Sequence, residues 1–139
     1  MADVASNNDS IRSDIQKLED YYINALNLKS TYSMKHFYYA DDVRSYSYGK
    51  PVLTGIDAVV ENLNKQYLRT KRGTKYRFEL KEIHPTSDGE QVVAIGSIFR
   101  INTDNTEKLI GNYFGYFEKR DGKYVCVREM EARNPQSEK

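Results

Sequence analysis

From Ile11 the apolar positions step by four, three, four and three: Ile11, Ile15, Leu18, Tyr22 and Ala25/Leu26. That spacing lays one stripe along an amphipathic helix. Ser10 stands where an N-cap belongs, and Asp14 lies in the first turns, where the helix dipole favours a negative charge. A second, short helix is predicted from about Ser30, with Met34, Phe37 and Tyr38 on one face, stopping at Ala40-Asp41-Asp42. There Asp41 and Asp42 can hydrogen-bond turn amides, a structural use. Val43–Tyr48 alternates as a brief strand before the turn signal Gly49-Lys-Pro51. A third helix opens at Gly55-Ile56-Asp57 and carries Ile56, Val59, Val60, Leu63 and Tyr67 at the helical period. It is predicted to end near Lys71-Arg72-Gly73, with cations in its last turn and Gly at C′.

From Lys75 the period changes to two. Tyr76, Phe78 and Leu80 alternate with Arg77, Glu79 and Lys81, and Ser87-Asp88-Gly89 turns the chain. Gln91–Asn102 is almost continuously apolar, as in a central strand covered on both faces. Leu109–Lys119 and Lys123–Arg133 follow, joined by Arg120-Asp121-Gly122. Helices first and a hairpin-linked meander after make an α+β class.

The 139 residues suffice for one ordinary domain, read as 10–133, with polar tails at 1–9 and 134–139. Lys+Arg number 21 and Asp+Glu 20, a net charge of +1 that argues against a dedicated polyanion binder. The cations that exist cluster: Lys65, Arg69, Lys71, Arg72, Lys75 and Arg77, with Tyr67 and Tyr76 interleaved. A nucleic-acid groove would use such a run, but a helix C-terminus attracts cations anyway, so no nucleic-acid partner is expected. The single Cys126 excludes an internal disulfide and Cys-based zinc, and His36 and His84 are too few for a multi-histidine metal site. No metal or cofactor is expected. The start has neither a basic nor an apolar signal region, and no window spans a bilayer, so a cytoplasmic protein without a membrane partner is expected. Twelve Tyr and five Phe without a Trp suggest surfaces half apolar and half wet, such as pocket walls.

Two segments carry a resemblance. Phe37-Tyr-Tyr-Ala-Asp-Asp-Val43, with Gly49-Lys-Pro51, Gly55 and the helix after it, resembles the stretch "Y-A-x-D-A … G-x-P … G-x-x-A-I" of the NTF2-like superfamily. Phe117–Arg128 resembles that family's closing "F-x-x-x-D-G-x-W-x-I" hairpin, with Tyr124 where Trp is usual. Within that superfamily the chain looks like the SnoaL-like or DUF4440-like group. The resemblance implies an NTF2-like cone, three N-terminal helices packed on a curved antiparallel sheet around a cavity. It also implies a homodimer through the outer sheet face, which fits strands apolar on both faces (Val92/Val93, Ala94/Ile95, Ile110, Phe114, Tyr116), with Tyr116 and Tyr124 covered by the partner.

Within such a cone, Tyr22 occupies the place of the ketosteroid isomerase tyrosine, whereas the place of that enzyme's base falls near Tyr46-Ser47 and of its proton-donating Asp near Gly115. Steroid isomerase activity is therefore not expected, for want of a base. If the last strand keeps the family's facing, Val125, Val127, Glu129 and Glu131 point inward and Tyr124, Cys126, Arg128 and Met130 outward. Two carboxyls on one apolar face would raise a pKa and could act as acid or base with Tyr22, unless Arg100 or Arg128 pairs with them. Tyr22, Leu26, Phe37 and Leu63 from the helices, with Tyr113, Phe117 and Val127 from the strands, are the candidate ligand-binding residues. Gly111 and Gly115 either make room for a ligand or permit sheet curvature. The expected role is non-enzymatic binding of a small apolar molecule. An isomerase, cyclase or dehydratase using Glu129, Glu131 and Tyr22 is the alternative, and a protein-binding adaptor is the third reading.

Overall fold

The computed structural model describes residues 4–134, in nine elements. They are α1 (Val4–Asn27), α2 (Tyr32–Phe37), β1 (Tyr39–Ser47), β2 (Leu53–Thr54), α3 (Ile56–Arg69), β3 (Lys75–Pro85), β4 (Gln91–Ile101), β5 (Glu107–Arg120) and β6 (Lys123–Arg133). No Gly or Pro interrupts residues 4–10, so α1 begins ahead of Ser10, which lies inside the helix rather than capping it. Of the expected tails, 4–9 belong to α1, while 1–3 and 135–139 lie outside the described residues. Asn134 continues the sheet, its N–H donating to the Ile110 carbonyl at 2.8 Å.

β1 starts at Tyr39, so Asp41 and Asp42 are strand residues and not a turn. The reason is β6: β1 pairs with it in parallel, and Cys126 donates its N–H to the Tyr38 carbonyl at 2.8 Å. Asp42 faces solvent and binds the Arg120 guanidinium at 2.7 and 3.3 Å, which holds its carboxyl below the usual range. At the crossover into α3, Gly55 adopts φ 90° and donates to the Val43 carbonyl at 2.7 Å, a conformation that favours glycine. The apolar stripe of α3 is buried as its period requires: Ile56, Val59, Leu63 and Tyr67. The helix stops at Arg69, with Thr70 already extended, so Gly73 lies in the following loop and not at C′.

The strands form one six-stranded sheet in the order β2-β1-β6-β5-β4-β3, antiparallel throughout the β3–β6 meander. Helices cover one face, where Ile15, Met34, Val43, Val59, Val92, Ala94 and Phe117 make the core. Bulges after Leu80, Ile98 and Tyr116 bend the sheet around it. At the close contact of β3 and β4, a Cβ on Gly96 would overlap the Phe78 ring and the Glu79 carbonyl. Gly96→Ala is therefore expected to destabilise the fold by about 1–3 kcal/mol in chemical denaturation. An unchanged midpoint would contradict this packing.

The bulge in the β5–β6 pair decides which way β6 faces. Phe117 sits opposite Cys126 and Tyr116 opposite Arg128, which leaves Val127 as the extra residue. Before the bulge, Tyr124 and Cys126 are buried in the core and Val125 is not, the reverse of the sequence expectation. Tyr124 thus belongs to the chain's own core and not to a surface a partner would cover, its hydroxyl donating to the Gly89 carbonyl. One added residue shifts the phase of a period-two pattern, so Glu129 and Glu131 recover the inward facing and Met130 the outward. Val127 is buried in the bulge, outside both apolar clusters of the core. Among the described residues no helix is long and apolar enough to cross a membrane.

Candidate functional site

The concave interior is polar at its centre. Glu19 follows Ile15 by four residues and precedes Tyr22 by three, so it shares the buried stripe of α1 and is only 1% exposed. Tyr38, at the end of α2, donates its hydroxyl to Glu19 Oε1 at 3.0 Å. Its oxygen lies 2.7 Å from that of Tyr113 on β5. Because Tyr38 spends its one proton on Glu19, Tyr113 is the donor in that pair. The Tyr113 hydroxyl also stands 3.8 Å from Cys126 Sγ. Burial pushes the Glu19 carboxyl up to about 8; the Tyr38 hydrogen bond works against this, and Glu129 and Asp20 add to it.

A second carboxyl lies in the same interior. Glu129 accepts from Tyr39 at 2.8 Å on Oε1 and from Ser45 at 2.8 Å on Oε2. Both donors come from β1, the strand beside β6, where Ser45 is the direct partner of Glu129. Burial lifts this carboxyl to about 7, the two donors restrain the rise, and Glu131 adds to it. Tyr22 packs its ring 4.9 Å from that of Tyr38 and edge-on to Tyr39 at 6.4 Å. Burial, then the charges of Glu129 and Glu131, push its phenol well up, so it stays a donor. Glu131 lies further out, partly exposed, 3.7 Å from Arg133. Neither arginine considered from the sequence pairs with these carboxyls: Arg128 binds the Val127 and Asp42 carbonyls, and Arg100 binds Asn102.

Tyr22, Glu129 and Glu131 are thus brought together, and Leu26 packs at the edge of the same core. Leu63, Tyr113 and Phe117 are buried core residues. Phe37 is not inside: it is 49% exposed, its ring against those of Tyr21 and Tyr32, and as the last residue of the six-residue α2 it leaves only Met34 of that helix buried. The two glycines of β5 are now separable. A Cβ on Gly115 would strike the rings of Tyr113 and Phe117, and one on Gly111 would strike the Ala132 carbonyl at 2.8 Å. Gly115 makes room for neighbouring rings and Gly111 for the adjacent strand, not for a ligand.

Burial pushes the Cys126 thiol well up, which suits a packed thiol and not a nucleophile. His36 is exposed beside Tyr32, and His84 lies 3.1 Å from Glu82 on the surface. Among the described residues no group of three His, Cys, Asp or Glu converges as a metal ion would need. Two surface concavities lie outside the cone. One, about 480 Å³, is an open groove on α1 lined by Lys17, Asp20, Tyr21 and Asn24. The other, about 320 Å³, is lined by polar groups including Lys35, His36, Asp41 and Arg120. Neither is the apolar-walled cavity expected from the sequence.

Sequence reasoning missed Glu19, Tyr38, Tyr39 and Ser45. The signal for Glu19 was present, a charged residue on an otherwise apolar helical stripe. Tyr38 and Tyr39 carried none, because their roles depend on the unforeseen start of β1.

No family model matches the chain, and no curated protein matches it in sequence. Solved structures do match. An NTF-2 like protein of unknown function from Shewanella oneidensis is 19% identical with a TM-score of 0.71, covering 86% of this chain and 97% of its own. A candidate scytalone dehydratase from Novosphingobium aromaticivorans is 16% identical with a TM-score of 0.77, over 94% and 89%. The hexachlorocyclohexane dehydrochlorinase LinA-type3 from Novosphingobium barchaimii is 18% identical with a TM-score of 0.74, over 90% and 87%. Likeness at this identity speaks for architecture, and with helices covering one face of a bent, mostly antiparallel sheet it places the chain in the NTF2-like fold.

Proposed function

We propose that this protein moves a proton on a small, largely apolar molecule at the mouth of its cone, with Glu129 as the group that takes the proton. One observation carries the reading: a carboxyl inside the cone, gripped by Tyr39 and Ser45, with its pKa raised to about 7. A base with that pKa is half ionised at neutral pH and still holds the proton it accepts. Tyr22 beside it supplies a phenol that stays protonated, suited to a hydrogen bond to developing negative charge. Glu129 would stand in for the base absent near Ser47. Dehydratase and dehydrochlorinase name eliminations of water and of HCl, reactions in which a C–H proton must leave, and two of the structural neighbours bear those names.

The test is deuterium exchange in a panel of small cyclic ketones, followed by NMR. Exchange above the buffer rate, lost in Glu129→Gln, supports the reading. Panel members that bind without exchanging would favour the second reading, a non-enzymatic carrier of an apolar molecule. That reading draws on the ring-rich wall of Tyr22, Tyr38, Tyr39 and Phe117.

We also infer a homodimer through the outer sheet face. There Ile95, Phe114 and Met130 stand directly opposite one another on β4, β5 and β6, and Phe114 and Met130 are 43% and 53% exposed. Ile110 is not part of this face, being buried with Ile98 and Tyr113. Phe114→Asp is expected to convert a dimer to a monomer in gel filtration. A wild-type chain eluting as a monomer at micromolar concentration would remove the dimer.

A further inference from the structure

Away from the cone, exposed aliphatic side chains and unpaired cations meet at one end of the molecule. Three connections converge there. After Asn27 the chain turns through Leu28-Lys29-Ser30, closed by the Ser30 N–H on the Ala25 carbonyl at 2.9 Å and the Lys29 N–H on the Leu26 carbonyl at 3.2 Å. The C-terminal end of α3 packs on this turn, with the Tyr67 hydroxyl donating to the Ser30 carbonyl at 3.2 Å. The loop after α3 then enters β3, whose second residue is clamped by Asn27. The Tyr76 N–H donates to Asn27 Oδ1 at 2.8 Å, and Asn27 Nδ2 donates to the Tyr76 carbonyl at 3.0 Å. Residues 28–29, 68–69 and 71–72 therefore share one end although they come from three separate places in the chain.

Leu28 is 68% exposed and Leu68 is 88% exposed. Around them, Lys29, Arg69, Lys71 and Arg72 make no ion pair among the described residues. Neighbouring charges are already engaged. Lys65 pairs with Glu61, Lys75 donates to the Asn27 carbonyl, Arg77 pairs with Glu107, and Asp104 is held by Thr106. Arg69 donates its Nε to the Lys65 carbonyl at 3.4 Å, which leaves its charge unneutralised. Single leucines on a surface are ordinary, but two of them ringed by four cations without a carboxylate partner among the described residues match a particular counterpart, one anionic at its surface and apolar just beneath.

We propose that this end docks on an anionic phospholipid bilayer, with Lys29, Arg69, Lys71 and Arg72 meeting headgroups and Leu28 and Leu68 entering the boundary of the acyl chains. Attachment of this kind is peripheral and asks for no spanning helix. The same cations could be imagined on a nucleic acid, but a single strand needs exposed rings for stacking. Tyr67 is buried with its hydroxyl used, and Tyr76 packs partly buried against the Ile98–Tyr113 cluster, so the two rings interleaved with the cations of 65–77 face the core.

Sedimentation of the full chain with vesicles tests the proposal, using phosphatidylcholine alone and a 70:30 mixture with phosphatidylserine. Binding is expected only with phosphatidylserine present, weakening at least tenfold in high salt as charges are screened. Lys71→Ala with Arg72→Ala should weaken it about fivefold for each charge removed. Leu28→Ser with Leu68→Ser should weaken it at least tenfold with every cation retained. All four side chains are exposed, so thermal melts of both double variants should match the wild type. No binding to the mixed vesicles at low salt overturns the proposal. So does vesicle binding that ignores the leucine pair, and retention of a single-stranded oligonucleotide would then make the patch a polyanion site.

Discussion

Glu129→Gln is expected to lower the proton-transfer rate by about 10²–10⁴-fold, the range a positioned acid–base group contributes. Gln keeps the shape; its one carbonyl oxygen still accepts from one of the Tyr39 and Ser45 hydroxyls and its NH2 can donate to the oxygen of the other, so the fold should persist while the base is lost. The wild-type kcat/KM should rise with pH through about 7, because only the ionised carboxylate accepts a proton and burial holds the ionisation there. Two further variants give the pH profile its force. Tyr39→Phe and Ser45→Ala each remove a donor that stabilises the charged form, so each should move the rise to higher pH. A profile that does not move would mean that Glu129 is not the titrating group, and a rate unchanged in Glu129→Gln would remove it from the chemistry.

The second large effect concerns stability and belongs to Glu19. Its carboxyl titrates at about 8 in the folded chain against an ordinary 4.5. Between those values the folded state holds a proton that the unfolded state has released, so stability falls as pH rises. The contribution is complete below pH 4.5 and gone above pH 8, a loss of about 3–5 kcal/mol. Glu129, with its carboxyl raised to about 7, acts in the same direction over a narrower window, so the wild-type profile alone cannot assign the slope. The difference between wild type and Glu19→Gln can. The amide is neutral at every pH, so the two should unfold at similar denaturant concentrations near pH 5, and the variant should be the more stable by about 2–4 kcal/mol at pH 8. Parallel profiles would mean that Glu19 is not buried beside Tyr38. Glu19→Ala would not serve, because it leaves the Tyr38–Tyr113 pair without its acceptor.

Much of the architecture was legible because it rests on periodicity. The stripe Ile56–Tyr67 became the buried face of α3, and Gly111, Tyr113, Gly115 and Phe117 all turned inward on β5 as alternation requires. The turns at Ser87-Asp88-Gly89 and Asp121-Gly122 were legible for a local reason, since residues that tolerate positive φ mark them. What failed was any feature set by a partner distant in sequence. The Ala40-Asp41-Asp42 segment looks like a helix stop, and only the parallel neighbour β6 makes it a strand. Phe37 fits an apolar helical face, yet α2 is six residues long and leaves it outside.

The candidate site divides along the same line. Tyr22 could be named from its place on the helical stripe, and Glu129 and Glu131 from the facing that the family resemblance implies for the last strand. Their partners could not. Tyr39 and Ser45 reach Glu129 only through the β1–β6 register, and Tyr38 reaches Glu19 only because α2 ends over α1. The bulge at Val127 decided the facing of β6, inverting it for Tyr124 and Cys126 and restoring it for the two glutamates. A one-residue insertion is invisible to a period-two pattern, which is blind to what sits opposite. By itself, then, the sequence determined the elements, their order and the α+β class, since those follow from local period and turn chemistry. Only the tertiary structure decided that two carboxyls share one desolvated interior and that Leu28 and Leu68 share one charged end, because burial and long-range proximity are properties of the packed chain.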